Sequence, residues 1–147
     1  MRELTRAEIE AILPHRLEAQ MLDRAKVEEG WAQGYHFVTE KDCRGHLPGR
    51  PIYAGHKRDE LIQLTLGVAA LAQLPPGKIP VVVLKTKVTY PNKATVGDEI
   101  RAEVRVLRQT ASRVVGTGKA FVNDTVVCEI ERIIGLLIDS SEVNKGG

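Results

Sequence analysis

The stretch GHLPGRPIYAGHKRDE sets two ionisable residues, His46 and Glu60, fourteen positions apart. His46 lies in a bend stiffened by Pro48 and Pro51 and bracketed by Gly45, Gly49 and Gly55. Each proline fixes a backbone torsion, so such a bend also fixes where the imidazole points. An imidazole of fixed direction, with a pKa of about 6.5, suits a general base at neutral pH. Glu60 falls about one turn inside the segment that follows, whose continuation LIQLTLGVAALAQ is apolar. Beside apolar surface a carboxylate is disfavoured as an anion, so its pKa rises and it can carry a proton as a general acid. Each residue also has a plainer reading. A lone histidine is most often a surface or structural residue, and a carboxylate early in a helix is favoured by the helix dipole alone. Asp59 competes with Glu60 for either role. Gly55, just before the helix, is at its plainest a flexible turn or cap. Its N–H would also point along the positive end of the helix toward a developing oxyanion, with no side chain to bar a close approach.

Other chemistries find less support. His15, His36 and His56 form no ligand set, and no HExxH, CxxC pair, phosphate loop, GxGxxG or GxSxG is present. Cys43 stands three residues before His46, but sharing a turn does not make a nucleophile–base pair. Cys43 and Cys128 lack metal-type spacing and read as reduced thiols of a cytoplasmic protein.

The elements that must hold these residues can be read from pattern. Thr5 caps a short helix, with Glu8 completing a capping box, and Pro14 ends it. Two strands are expected between 17 and 39, broken at Glu28-Glu29-Gly30, and 40–55 is loop. Residues 56–73 form a helix that is apolar on nearly every side, hence buried, and Pro75-Pro76-Gly77 stops it. The period then changes to two, giving strands at 81–90, 100–106, 114–122 and 126–138, the last pair joined by a tight turn at Asn123-Asp124. One face of 114–122 carries Val114, Gly116, Gly118, Ala120 and Val122, small enough for something thick to lie against it. The pattern therefore predicts an α+β fold in which an antiparallel sheet of consecutive strands wraps a central buried helix.

With 147 residues the chain is expected to be a single domain over 1–147, its core about 5–138 and a polar tail at 139–147. A net charge of +2 and only 4% aromatic residues argue against nucleic acid, which needs a basic patch or stacking platforms. The opening MRELTRAEIEAIL lacks the apolar core of a signal peptide, and no run of about 18 apolar residues predicts a membrane span.

GHLPGRPIYAG, followed by an acid and then a helix, resembles the hot-dog β-hydroxyacyl-acyl-carrier-protein dehydratases of fatty acid synthesis (the FabZ and FabA type). Their signature is GHFPGxPxxPG with an acid fourteen positions after the histidine, the place of Glu60 here. ILPHR at 12–16, LDR at 22–24, VTYPNKATVGDEIRAEVRVL and VVCEIE resemble further parts of the family in the same order. The resemblance implies a hot-dog fold and a hydro-lyase. In it His46 removes the proton next to a thioester carbonyl, Glu60 protonates the departing β-hydroxyl and the Gly55 N–H steadies the enolate-like oxygen. It also implies an acyl carrier protein or CoA thioester as substrate, no cofactor, no metal, and a homodimer or trimer of dimers whose subunits share each site. Enoyl-CoA hydratase, hot-dog thioesterase and a non-catalytic acyl-binding homologue are the rival readings.

Three departures bear on the site. KDCR replaces the aromatics that usually precede the GH, and His56-Lys57-Arg58-Asp59 replaces apolar residues before the acid. Two cations in a first helical turn oppose the dipole, at some tenths of a kcal/mol each. That cost invites a reason: a polar or anionic substrate, a phosphopantetheine arm, or a site that no longer catalyses. The family glutamine four residues past the acid is matched by Leu64, with Gln63 one earlier. Counting from Gln63 would make Asp59 the acid; the ungapped spacing from His46 favours Glu60.

Overall fold

The computed structural model describes residues 1–13, 20–43 and 52–141 of the chain. His46 and the rest of its glycine-proline bend, together with His15, Pro14 and 142–147, lie outside the described residues. A short strand, β1 (Arg2–Thr5), leads into helix α1 (Arg6–Ile12). The expected capping box is present: the Thr5 hydroxyl accepts the Glu8 N–H at 3.3 Å, and the Glu8 carboxylate accepts the Thr5 N–H at 3.1 Å. Strands β2 (Arg24–Glu28) and β3 (Trp31–Phe37) are the two expected between 17 and 39, and they pair as an antiparallel hairpin. Gly30 turns it at φ 75°, a left-handed conformation that glycine adopts without strain.

Helix α2 (Gly55–Leu71) has 17 residues, a length of about 25 Å. It is followed by β4 (Lys78–Thr89), β5 (Glu99–Gln109), β6 (Arg113–Val122) and β7 (Thr125–Asp139). Asn123, at φ 54°, makes the tight turn between the last two. The predicted spans hold to within a few residues. The polar tail begins later than expected, because β7 runs on to Asp139 and pairs it with Lys78.

All seven strands join one antiparallel sheet in the order β1-β2-β3-β5-β6-β7-β4. Here the structure corrects the expectation of four successive neighbours. β5, β6 and β7 are successive, but β4 pairs with β7 at the far edge, not with β5. The physical reason is α2, which crosses the inner face and delivers the chain to the opposite edge. The β4–β5 connection then returns past the N-terminal end of α2, where Tyr53 N–H donates to Ala94 C=O at 2.8 Å.

From Leu61 to Leu71 every residue of α2 except Gln63 is buried, as a helix without a polar face requires. The sheet makes room for it with missing side chains. A Cβ at Gly116 would fall 2.5 Å from Leu66 Cδ1, one at Gly118 would overlap Ile62 Cγ2, and one at Gly34 would overlap Thr65 Oγ1. The small face read from the alternation of β6 is thus the seat of the helix. No helix among the described residues is long and apolar enough to cross a membrane. Replacing Gly118 by Val should lift α2 off the sheet and cost about 2–3 kcal/mol, read as a lower midpoint in urea unfolding.

Candidate active site

The N-terminal end of α2 is built by three local constraints. Ala54 caps it in an extended conformation and, having no polar side chain, offers no side-chain hydrogen bond to the first turn. Gly55 opens the first turn against the Tyr90 ring, where a Cβ would approach within 3.1 Å. Gly55 therefore has a neighbour the sequence did not reveal: the absent side chain accommodates a ring of the same subunit. Ile52 bridges to Thr95, and the 95–98 turn is itself tied by Thr95 N–H to Asp98 Oδ2 at 2.9 Å. Gly97, at φ 93°, takes the left-handed conformation that this turn needs.

Asp59 and Glu60 go different ways from adjacent positions. The Asp59 side chain is buried and three donors reach it: Tyr90 hydroxyl at 2.9 Å, Lys85 Nζ at 3.3 Å and Gln63 Nε2 at 3.3 Å. The carboxylate thus accepts from three donors of its own chain. Losing solvent, the larger cause, and donating to the Asp59 carboxylate push the Tyr90 hydroxyl up to about 12. Glu60 lies on the other side. With His56 and Gln63 it forms the i, i+4, i+7 stripe of α2 that its own sheet leaves uncovered. Gln63 thus stands on the open stripe yet donates back to Asp59, which connects the two alternatives to one network.

The two cations of the first turn are occupied by carbonyl oxygens. Lys57 Nζ donates to Asp42 C=O at 2.6 Å, and Arg58 Nη1 to Asn92 C=O at 2.6 Å and Val127 C=O at 2.8 Å. Beside them is a cleft of about 900 Å³ whose described lining includes Arg6, Asp23, His36, Asp42, Tyr53 and Lys57. His36, set aside in the sequence for want of a ligand set, is buried in its wall. Its Nε2 is 2.9 Å from Asp42 Oδ2 and its Nδ1 3.5 Å from Asp23 Oδ2, and it stacks on Tyr53 with centroids 5.7 Å apart. The only hint in the sequence was Asp23 within LDR; nothing local announces that Asp42 meets it across β3.

Neither cysteine is disposed as a nucleophile. Burial pushes the Cys43 thiol up, with the Asp42 charge adding to it, and burial with the Asp59 charge pushes Cys128 up to about 12. Among the described residues no group of His, Cys, Asp and Glu could hold a metal ion.

A sheet rolled around a central buried helix defines a hot-dog protein. A thioesterase-superfamily model, which describes this fold, matches residues 60–129. The dehydratase heterocomplex ApeI:P from Xenorhabdus doucetiae superposes with a TM-score of 0.80, covering 93% of this chain and 95% of its own at 14% identity. In sequence the chain is 38% identical over 139 residues to the 3-hydroxyacyl-[acyl-carrier-protein] dehydratase FabZ of Roseiflexus sp., covering 90% of this chain and 96% of the relative. It is 34% identical to FabZ of Enterococcus faecalis, over 88% and 95%. The chain belongs to the FabZ family of hot-dog proteins.

The Asp59 network makes a prediction about stability. Tyr90→Phe, which removes one donor, should cost about 1 kcal/mol, and Asp59→Ala, which leaves several donors without their acceptor, should cost more, about 1–3 kcal/mol. In a double-mutant cycle followed by urea unfolding, the two losses should fall short of adding.

Proposed function

We propose that this chain dehydrates a β-hydroxyacyl thioester carried on acyl carrier protein, giving the trans-enoyl thioester. The observation that carries the reading is the placement of Glu60 on the open stripe of α2, fourteen residues after the histidine of a FabZ-type bend. His46 takes the proton from the carbon next to the thioester carbonyl. The electron pair moves toward the carbonyl oxygen, which the Gly55 N–H steadies, and then forms the carbon–carbon double bond. As it does, the bond to the β-hydroxyl breaks, Glu60 supplies a proton and water departs. The thioester itself acidifies the α-carbon, so the step needs no metal or organic cofactor. Asp59 and Gln63 support the site instead of acting in it.

The active form on this reading is a homodimer joined along β4. That strand is the sheet edge, with Val83 and Leu84 at 53% and 49% exposure, and no strand among the described residues pairs with its outer side. A long edge carrying exposed apolar side chains is a template for another strand. A second copy would add its own β4 there and bring its bend toward the Glu60 stripe. Two buried, unbridged thiols suit a cytoplasmic setting.

With a crotonyl thioester, hydration followed at the enoyl absorbance should fall by about 10² to 10⁴ in His46→Ala and in Glu60→Gln. Free thiol released by His46→Ala as fast as by the native protein would replace this reading with a thioesterase. Hybrid dimers test the shared site. Coexpressed His46→Ala and Glu60→Gln chains should recover about a quarter of native activity, because each mixed dimer holds one intact pair. No recovery would place both groups in one subunit.

A further inference from the structure

We propose that His36 is a positioning residue for the general base: as an imidazolium held between Asp23 and Asp42, it fixes the 39–43 turn, whose last residue precedes His46 by three positions. The inference rests on the reading of His46 as that base.

The geometry asks for two protons on the ring. Nε2 is at hydrogen-bond distance from Asp42 Oδ2, and buried Nδ1 has no hydrogen-bond partner, only the Asp23 carboxylate at 3.5 Å. A neutral imidazole that donated through Nε2 would turn the Nδ1 lone pair toward a carboxylate, which is repulsive. The imidazolium presents a donor to each acid. Two carboxylates, Asp23 and Asp42, stand against the ring, and Arg6 from α1 pairs with Asp23 at 3.3 Å and with Glu10 at 3.5 Å. Among the described residues the other titratable or charged groups of the same cleft are Tyr53, stacked on the ring, Lys41 in the turn and Lys57 of α2, with Cys43 next to Asp42. Burial by itself would depress the His36 pKa, but the bonds and charges of Asp23 and Asp42 outweigh it and the pKa is raised.

Asp42 is the part that transmits the effect. The carboxylate oxygen that meets His36 also accepts the Thr39 N–H at 2.8 Å and the Thr39 hydroxyl at 3.0 Å. The Asp42 N–H returns to Thr39 C=O and the Cys43 N–H to Glu40 C=O, both at 3.1 Å. Lys57 then ties the Asp42 carbonyl to α2, two residues past Gly55. His36 is therefore the tie between the turn and β3, and Lys57 the tie between the turn and the helix carrying Glu60. His46 follows Cys43 by three residues. The sign of the pH dependence follows. A raised His36 pKa means that its contribution is complete below about pH 6.5 and is lost as pH rises through the folded value. Asp23 and Asp42, held below their ordinary range by His36 and backbone N–H groups despite burial, lose theirs only in acid.

The experiment compares kcat/KM for crotonyl-thioester hydration in native protein and His36→Gln from pH 6 to 9.5. The expected ratio is roughly tenfold in favour of the native protein at pH 6.5, shrinking toward one above the His36 midpoint, where the native ring is neutral too. A ratio that stays constant with pH would show a merely structural role and overturn the proposal. Measurements on native protein alone decide the case if His36→Gln does not fold or if no thioester is turned over. The His36 ring, followed by NMR, should titrate above pH 6.5 and fall in Asp42→Asn. Amide protection factors of Asp42 and Cys43 should drop roughly fivefold across the same midpoint. A ring that titrates at or below the ordinary value, or protection that ignores its titration, overturns the proposal. A native protein with no activity but with both NMR signatures would discard the dehydratase reading and leave His36's hold on the turn standing.

Discussion

The structure depends on the contact between an apolar helix and a sheet stripped of side chains beneath it. α2 has no polar face for water, so the sheet must surround it. The sheet can come close only where Gly34, Gly116 and Gly118 leave room for Thr65, Leu66 and Ile62. Each large apolar residue removed from water on α2 contributes about 1.5–3 kcal/mol. Ten of the eleven residues from Leu61 to Leu71 are buried, which outweighs any local preference of the flanking loops. The strand order follows. A chain crossing the sheet inside a helix must emerge at the far edge, so β4 is placed beside β7 and becomes the exposed border.

The same contact explains why chemistry gathers at one end. Along most of its length α2 is closed to solvent and to substrate alike. Only its first turns emerge, and there the sequence changes from apolar to HKRDE. A helix N-terminus directs N–H groups outward and favours negative charge nearby. The polar residues divide the work by direction: Lys57 reaches the 39–43 turn, Arg58 reaches the β4–β5 connection and the start of β7, Asp59 reaches Tyr90 and Lys85, and Glu60 is left on the stripe that the sheet does not cover. Successive helical positions are rotated by about 100°, so four adjacent residues can serve four destinations.

Much of this was legible beforehand, and the reasons are local. The capping box, the all-apolar helix, the small face of β6 and the Asn123-Asp124 turn each follow from residues within a few positions of one another. What could not be read was long-range. The pairing of β4 with β7 depends on where α2 ends, not on the composition of β4. The His36 cluster joins Asp23, before β2, to Asp42, after β3, and neither has a spacing from His36 that signals a site. Tyr90 against Gly55 is likewise a contact between segments 35 positions apart in sequence. Which way Asp59 and Glu60 each point depends on helix direction, which one-residue counting could not resolve.

The charged segment before the acid shows how such a departure becomes tolerable. Viewed along the sequence, Lys57 and Arg58 oppose the helix dipole and invite an anionic ligand. In the fold, both donate to backbone carbonyls: that of Asp42 in the 39–43 turn, that of Asn92 in the β4–β5 connection and that of Val127 at the start of β7. Those carbonyls would otherwise need donors of their own near a largely dry core. A charge-assisted bond to a carbonyl contributes about 1.5–3 kcal/mol, more than the dipole costs a first-turn cation. The cations are thus retained for the loops that they hold, and the polarity of HKRDE does not by itself specify the polarity of the acyl group. That property belongs to the surface facing Glu60, which on the dimer reading is completed by the second chain.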